Sequence, residues 1–209
     1  AGSKGREFRD IDGKRRNVPI SSDDAEQLRK LNEGLESLLL EPRNTLFSQI
    51  GSSLQRKFGE TTVARQDKNG TVPPEESERF KGEVQKLLGE LEGGEGRFRL
   101  EDTGTDLELI LAPPGGDKHF DKGDGFAFIA EETNLDLKGK SVLICGDTDS
   151  DLPMVERALD LGARVYTVFV TGDEALRRKV HATNGRSHFV SNPDVLVTGL
   201  NTASGERNR

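Results

Sequence analysis

Downstream of Pro113-Pro114-Gly115-Gly116 the chain alternates between short apolar runs and amphipathic stretches, and that alternation restricts its fold more than any other feature. Helical spacing predicts a helix over 123–133, a strand over 141–145 and a helix over 152–161. A strand over 164–170, a helix over 173–181, a short strand over 187–190 and a helix over 192–200 follow. Strands that alternate with helices pair in parallel through right-handed crossovers. The polar residues from 201 onward are expected to form a frayed tail.

Upstream of the Pro-Gly cluster the pattern is mixed and carries antiparallel signals. Phe8 to Ile20 reads as a hairpin turning at Asp12-Gly13. Capping residues at 21–24 precede Leu28, Leu31, Leu35, Leu38 and Leu39 at helical spacing, so a helix is expected from Asp23 to Leu40, stopped by Pro42. Phe47, Ile50 and Leu54 suggest a second helix over 46–58. Strands are expected over 60–65, 97–100 and 107–111, with a helix from Pro73-Pro74 to Leu91 that Glu92 to Gly96 breaks. A domain boundary is expected near residues 112–120.

Composition narrows the function. A formal net charge of -7 argues against a nucleic-acid footprint, and no apolar run reaches membrane length. The one cysteine, Cys145, rules out an intrachain disulfide framework and suits a reducing compartment, so a cytoplasmic location is expected. The opening at Ala1-Gly2-Ser3, without an initiator Met, is compatible with a fragment.

The chemistry concentrates at Gly146-Asp147-Thr148-Asp149-Ser150-Asp151. A carboxylate at the C-terminal end of a parallel strand stands where open α/β sheets bind ligands. Oxygen ligands in that place suit Mg2+. Asp147 would bind the cation directly, and Asp151 directly or through water. The structural alternative is that Asp151 caps the next helix while Asp147 and Asp149 are solvated loop residues. About 25 residues earlier, Lys122 enters a helix beside Gly123. A lysine there can aim its ammonium at a phosphate, or it can be a solvated helix start.

Together these motifs resemble the haloacid dehalogenase (HAD) phosphatases: Lys-Gly at a helix start, then a strand and Gly-Asp-x-x-x-Asp. Ala1-Gly2-Ser3-Lys4-Gly5-Arg6-Glu7 resembles the Ala-Gly-x-His-Gly-x-Glu strand end of the trehalose-6-phosphate phosphatases, and the order of elements fits that subfamily. The resemblance implies an α/β fold: part of a HAD-like Rossmannoid core of parallel strands with helices, plus an α+β cap with an antiparallel sheet. Residues 1–20 would lead into the cap, 21–112 would form it, 113–200 would be the C-terminal half of the core and 201–209 a tail.

Carried onto this chain, the resemblance makes Lys122 the holder of the transferring phosphoryl group. Asp147 and Asp151 become the Mg2+ site. Glu108, in Leu107-Glu108-Leu109, becomes a reader of sugar hydroxyls. Lys57 and Arg65 become cap cations near the substrate, although Thr62-Val63-Ala64-Arg65-Gln66 lacks the His of the family's His-x-Arg element. Thr148 stands where many relatives carry a second Asp. The implied partner is a small sugar phosphate, with trehalose 6-phosphate first and another, such as mannosyl-3-phosphoglycerate, as the alternative. A non-catalytic binding domain is the other alternative.

The family's nucleophile lies in an apolar strand ending Asp-x-Asp-Gly-Thr. Asp10-Ile11-Asp12-Gly13 mimics it, but Arg6 to Arg9 before it and Lys14-Arg15-Arg16 after it are too polar for a buried parallel strand. It reads as a hairpin turn. The nucleophile is therefore expected in a preceding part of the same protein, and this chain alone is expected to be inactive.

Overall fold

A computed structural model describes residues 2–51, 53–92, 96–112 and 120–207, without the side chains of residues 92 and 203–207. The Glu92 to Gly96 break falls largely outside the described residues, as do Pro113-Pro114-Gly115-Gly116 and His119. The chain divides into two compact units, Ala1–Arg9 with Asn17–Phe120, and Asp10–Arg16 with Asp121–Arg209.

Two short strands open the chain, β1 (Glu7–Arg9) in the first unit and β2 (Arg15–Asn17), of which Arg15 and Arg16 belong to the second. The first unit is built on strands β3 (Leu54–Lys57), β4 (Glu60–Ala64), β5 (Phe98–Asp102) and β6 (Asp106–Leu111). The sheet runs β3-β4-β6-β5 with every pairing antiparallel. Helices α1 (Ser22–Leu40) and α2 (Pro74–Glu92) contribute Leu31, Leu35, Phe80 and Val84 to its core. Val63, Leu107 and Leu109 project from the strands into that core. The Phe47 and Phe80 rings stack at 4.0 Å. Ser21 starts α1 by accepting the Asp24 N–H on its side chain.

The sheet's second face is polar. Glu60 and Thr62 are buried on it, and the register sets Thr62 opposite Glu108 and Glu108 opposite Glu101. Arg6 is buried as well. Its guanidinium donates to the Leu111 carbonyl at 2.7 Å and lies 4.6 Å from the centre of the Phe120 ring.

The helix expected over 46–58 is not there. Pro42–Ser48 is a 3-10 helix, and Leu54–Lys57 is strand β3. Phe47 and Ile50 are buried as helical spacing suggests, but Gly51 and Ser53 take positive φ (both 51°) and stop the helix. The chain then reverses at Gly59, whose φ is 70°. A spacing of three or four apolar residues over so short a run cannot distinguish a helix from a turn followed by a strand.

In the second unit, β7 (Ser141–Gly146), β8 (Arg164–Val170) and β9 (Ser187–Val190) form a parallel sheet in that order. Helices α3 (Lys122–Glu132), α4 (Leu152–Asp160) and α5 (Glu174–Thr183) alternate with them, as the pattern requires. Val155, Ala158, Val165, Phe169, Leu176 and Val180 make the core. Leu143 and Tyr166, cross-strand neighbours on the other face, are 47% and 42% exposed. Helix α6 spans Pro193–Arg207, so the backbone stays helical through the segment expected to fray at Asn201.

One ion cluster in the first unit has a measurable consequence. Asp102 accepts from Lys81 Nζ at 2.7 Å, Arg65 Nε at 2.9 Å and the Gly104 N–H at 2.9 Å. Burial alone would raise its carboxyl. The Lys81 ammonium, the Gly104 N–H and the Arg65 guanidinium outweigh burial and hold it below the usual carboxylate range. A pKa lower in the folded than in the unfolded chain gives stability that is complete above the unfolded value of about 3.9 and is lost as pH falls through the folded one. Thermal melts are therefore expected to fall more steeply below pH 4 for the wild type than for Asp102→Asn. Parallel acid limbs would remove Asp102 from the account.

Candidate active site

Strand β7 ends at Gly146 and delivers Asp147 to the tip of the parallel sheet. A 3-10 turn, Asp149–Asp151, then feeds α4, whose Pro153 lies in the first turn where its missing N–H costs nothing. Asp151 is the pivot. Its Oδ2 accepts the N–H groups of Asp147 at 2.9 Å and Thr148 at 3.2 Å, folding the loop back over its own carboxylate. Its Oδ1 accepts Lys122 Nζ at 2.5 Å. The side chain is buried. Burial by itself would raise the carboxyl; the Lys122 ammonium and the two backbone N–H groups reverse the sign and keep it ionised.

Lys122 is fixed from its own side too. Asp121 caps α3 in a reciprocal box: its Oδ1 accepts the Asp124 N–H at 2.9 Å, and Asp124 Oδ2 accepts the Asp121 N–H at 3.1 Å. Asp124 also meets Arg157 of α4 at 3.3 Å. Gly123 lets the two helix starts touch, since a Cβ there would lie 2.4 Å from the Pro153 carbonyl oxygen. The result is one ammonium, one buried carboxylate and two helix N-termini in one place. That arrangement suits a phosphate.

Asp147 differs from its neighbours. It is exposed, and its carboxylate has no hydrogen bond or ion pair among the described residues. Asp149 is held by Lys179 at 2.6 Å. Among the described residues no group of three His, Cys, Asp or Glu side chains converges on one point. Mg2+ commonly keeps several waters and takes only one or two carboxylates with a substrate phosphate. One open carboxylate, that of Asp147, is compatible with this pattern, while Asp151 is committed to Lys122 and the loop.

Asp10-Ile11-Asp12-Gly13 is a turn. Asp10 Oδ1 accepts the N–H groups of Asp12 at 3.1 Å and Lys14 at 2.8 Å, Gly13 has φ 77°, and Ile11 is fully exposed.

The first unit brings together two of its three candidate residues. Lys57 Nζ donates to Thr62 Oγ1 at 2.9 Å and to Glu60 at 2.8 Å, and Thr62 faces Glu108 across β4 and β6. Lys57 and Glu108 thus share the polar face. Arg65 does not join them. It bonds Asp102, Ser77 Oγ at 3.1 Å and Glu78 at 2.7 Å, tying β4 and β5 to α2. The sequence pattern gives Lys4 no role of its own, yet its ammonium lies 3.2 Å from Glu101 and 3.5 Å from Glu108. The signal that bears on it is the alternation of Glu101 and Glu108 with core residues on facing strands.

The protein family described as "Trehalose-6-phosphate phosphatase, C-terminal" matches residues 1–196. The chain belongs to this family. Among the relatives of this phosphatase-family chain, alpha,alpha-trehalose-phosphate synthase [UDP-forming] 1 of Caenorhabditis briggsae is 32% identical over 91% of the chain but only 15% of the relative. The Aphelenchoides avenae protein of the same name is 31% identical over 97% of the chain and 18% of its own length. Trehalose-phosphatase of Brugia malayi is 29% identical over 99% of the chain and 43% of its own length. The chain thus spans less than a fifth of the first two and under half of the third. A solved Aspergillus fumigatus trehalose-6-phosphate phosphatase aligns over 82% of the chain and 58% of its own, at 19% identity and a TM-score of 0.43. Among the described residues no helix is long and apolar enough to cross a membrane.

Proposed function

We propose that this chain is the lysine-and-acid part of a cytoplasmic, Mg2+-dependent phosphatase that hydrolyses trehalose 6-phosphate through an aspartyl-phosphate. The attacking aspartate would belong to residues outside these 209. The observation that carries the reading is the Lys122–Asp151 pair at 2.5 Å beside the Asp147 carboxylate, which has no partner among the described residues. Two features support a core completed by further polypeptide. Strand β7 is at the edge of its sheet among the described residues, and Leu143 and Tyr166 are open on a face that parallel sheets normally cover.

In this reading Lys122 donates to the phosphoryl oxygens and balances the charge that grows on them in transfer. Asp151 keeps the ammonium pointed, and it holds the Asp147–Thr148 backbone so that the Asp147 carboxylate faces outward. Asp147, with Asp151 directly or through water, would hold Mg2+, which supplies further charge neutralisation at phosphate. Glu108 and Lys57 would read sugar hydroxyls as acceptor and donor. The polar sheet face, rich in both, favours a sugar ester over an apolar one.

In the longer protein, Lys122→Met and Asp147→Asn are each expected to lower kcat for trehalose 6-phosphate about 10²- to 10³-fold, the range for removing one charge-stabilising group. The 209-residue chain alone is expected to release no phosphate. Unchanged kinetics in either variant would sink the site assignment. A preference for another sugar phosphate, such as mannosyl-3-phosphoglycerate, in a substrate panel would replace the substrate and leave the site standing.

A further inference from the structure

The turn that carries Lys4 is built against stability. Ser3 and Lys4 both take left-handed backbone angles, φ 48° and 57°, which side-chain-bearing residues rarely adopt. Ser3 is buried, and its Oγ has no hydrogen-bond partner among the described residues. Backbone strain and an unpaired hydroxyl persist together where the surroundings hold a residue for a purpose. What this turn holds is the Lys4 ammonium, placed over two carboxylates that face each other across β5 and β6. It meets Glu101 Oε2 at 3.2 Å and Glu108 Oε2 at 3.5 Å. Like charges directly opposite on neighbouring strands repel, so the lysine is also what lets the two glutamates share the face.

We propose that Lys4 is a specificity-determining residue that, with Glu101 and Glu108, recognises a neutral polyhydroxylated ligand, the disaccharide portion of the substrate. The proposal rests on the reading of Glu108 as a sugar-facing residue. An ammonium has three donors; Glu101 takes one as a hydrogen bond, and Glu108 lies at ion-pair distance. The remaining N–H groups, beside carboxylate lone pairs, offer the mixed donor and acceptor set that a sugar hydroxyl needs, because each hydroxyl both gives and takes a hydrogen bond. The histidine that the related opening carries here would, when neutral, bring a single donor. The site is open enough to be reached, with 17% of the Lys4 side chain and 24% of Glu108 exposed. Arg99 meets Glu101 Oε1 at 3.2 Å, so the charges of Lys4, Arg99, Glu101 and Glu108 balance, and the expected ligand is the uncharged sugar.

The test is binding, not turnover. Trehalose is titrated into the 209-residue chain while the backbone amides of residues 100–102 and 107–109 are followed by NMR, with maltose as the stereochemical control. Wild type is expected to shift those amides and to prefer trehalose. Lys4→Met is expected to weaken trehalose about tenfold, the cost of one hydrogen bond to a charged group, and to erase the preference over maltose. Lys4→Arg is expected to recover part of both. If Lys4→Met fails to fold by its α1 and α2 amide spectrum, Lys4→Gln is read in its place. Equal affinity and preference in the folded neutral variant overturn the proposal, and so does a wild-type chain whose face does not respond to saturating trehalose. A longer protein that binds trehalose here but releases no phosphate would overturn the phosphatase reading and leave Lys4 in its role.

Discussion

Asp151→Ala is expected to unmake the lysine site and to destabilise the second unit by about 2–3 kcal/mol. The carboxylate accepts from the Lys122 ammonium and the N–H groups of Asp147 and Thr148, and at 3.4 Å from the Thr148 hydroxyl. Removing one member of a fully buried pair costs about 3–5 kcal/mol, mostly as the penalty on the charge left behind. The Lys122 side chain is one-third exposed and can turn toward water, which lowers the figure. The two N–H groups are less free to do so, because the turn that carries them also starts α4. Asp151→Asn should be nearly as costly. Its carbonyl can still accept from the loop, but its NH2 would then face the ammonium. Chemical denaturation of the second unit measures the loss, and the amide shifts of residues 147 and 148 report whether the loop has opened. A variant of wild-type stability with an unshifted loop would mean that Asp151 holds neither the loop nor the lysine. In the longer protein the same variant should lower turnover as severely as Lys122→Met, because it removes the group that orients the lysine.

The parallel half of this architecture could be read from the chain because each strand and helix there is a short unit with its own punctuation. The Asp147 tip and the Pro153 helix start follow from the same local rules. What could not be read was which partners hold the other two carboxylates. Asp147, Asp149 and Asp151 are chemically identical in sequence. Their roles diverge through partners 29 and 30 residues away, Lys122 for Asp151 and Lys179 for Asp149. The antiparallel half was harder. Leu54–Lys57 becomes a strand because Gly59 turns the chain back along Glu60–Val63, a tertiary pairing that overrides the helical spacing of Phe47, Ile50 and Leu54. That pairing decides which side Lys57 takes. Arg65 shows the opposite outcome: near Lys57 in sequence, it lies just past the end of β4 and is held by α2 and β5.

Gly123→Ala is expected to destabilise the second unit, against the ordinary sign of such a change. Inside a helix, alanine is favoured over glycine by about 0.8–1 kcal/mol, because glycine loses more backbone freedom on folding. That rule should hold at Gly82 in α2, where an added Cβ meets nothing within 4 Å, so Gly82→Ala is expected to stabilise the first unit. At Gly123 the new methyl group would sit 2.4 Å from the Pro153 carbonyl oxygen and 2.8 Å from its carbon. Both are backbone atoms and cannot rotate aside. The starts of α3 and α4 must separate, and forcing a methyl group into so close a contact typically costs about 1–3 kcal/mol, more than the helix propensity returns. Separation acts directly on the site, since Lys122 precedes Gly123 and Asp151 lies two residues before Pro153. The 2.5 Å ion pair is what the two helix starts hold in register. A melt of Gly123→Ala that rises, as for Gly82→Ala, would show that α3 and α4 can move apart at no cost. It would also show that the lysine and the acid loop are placed independently of each other.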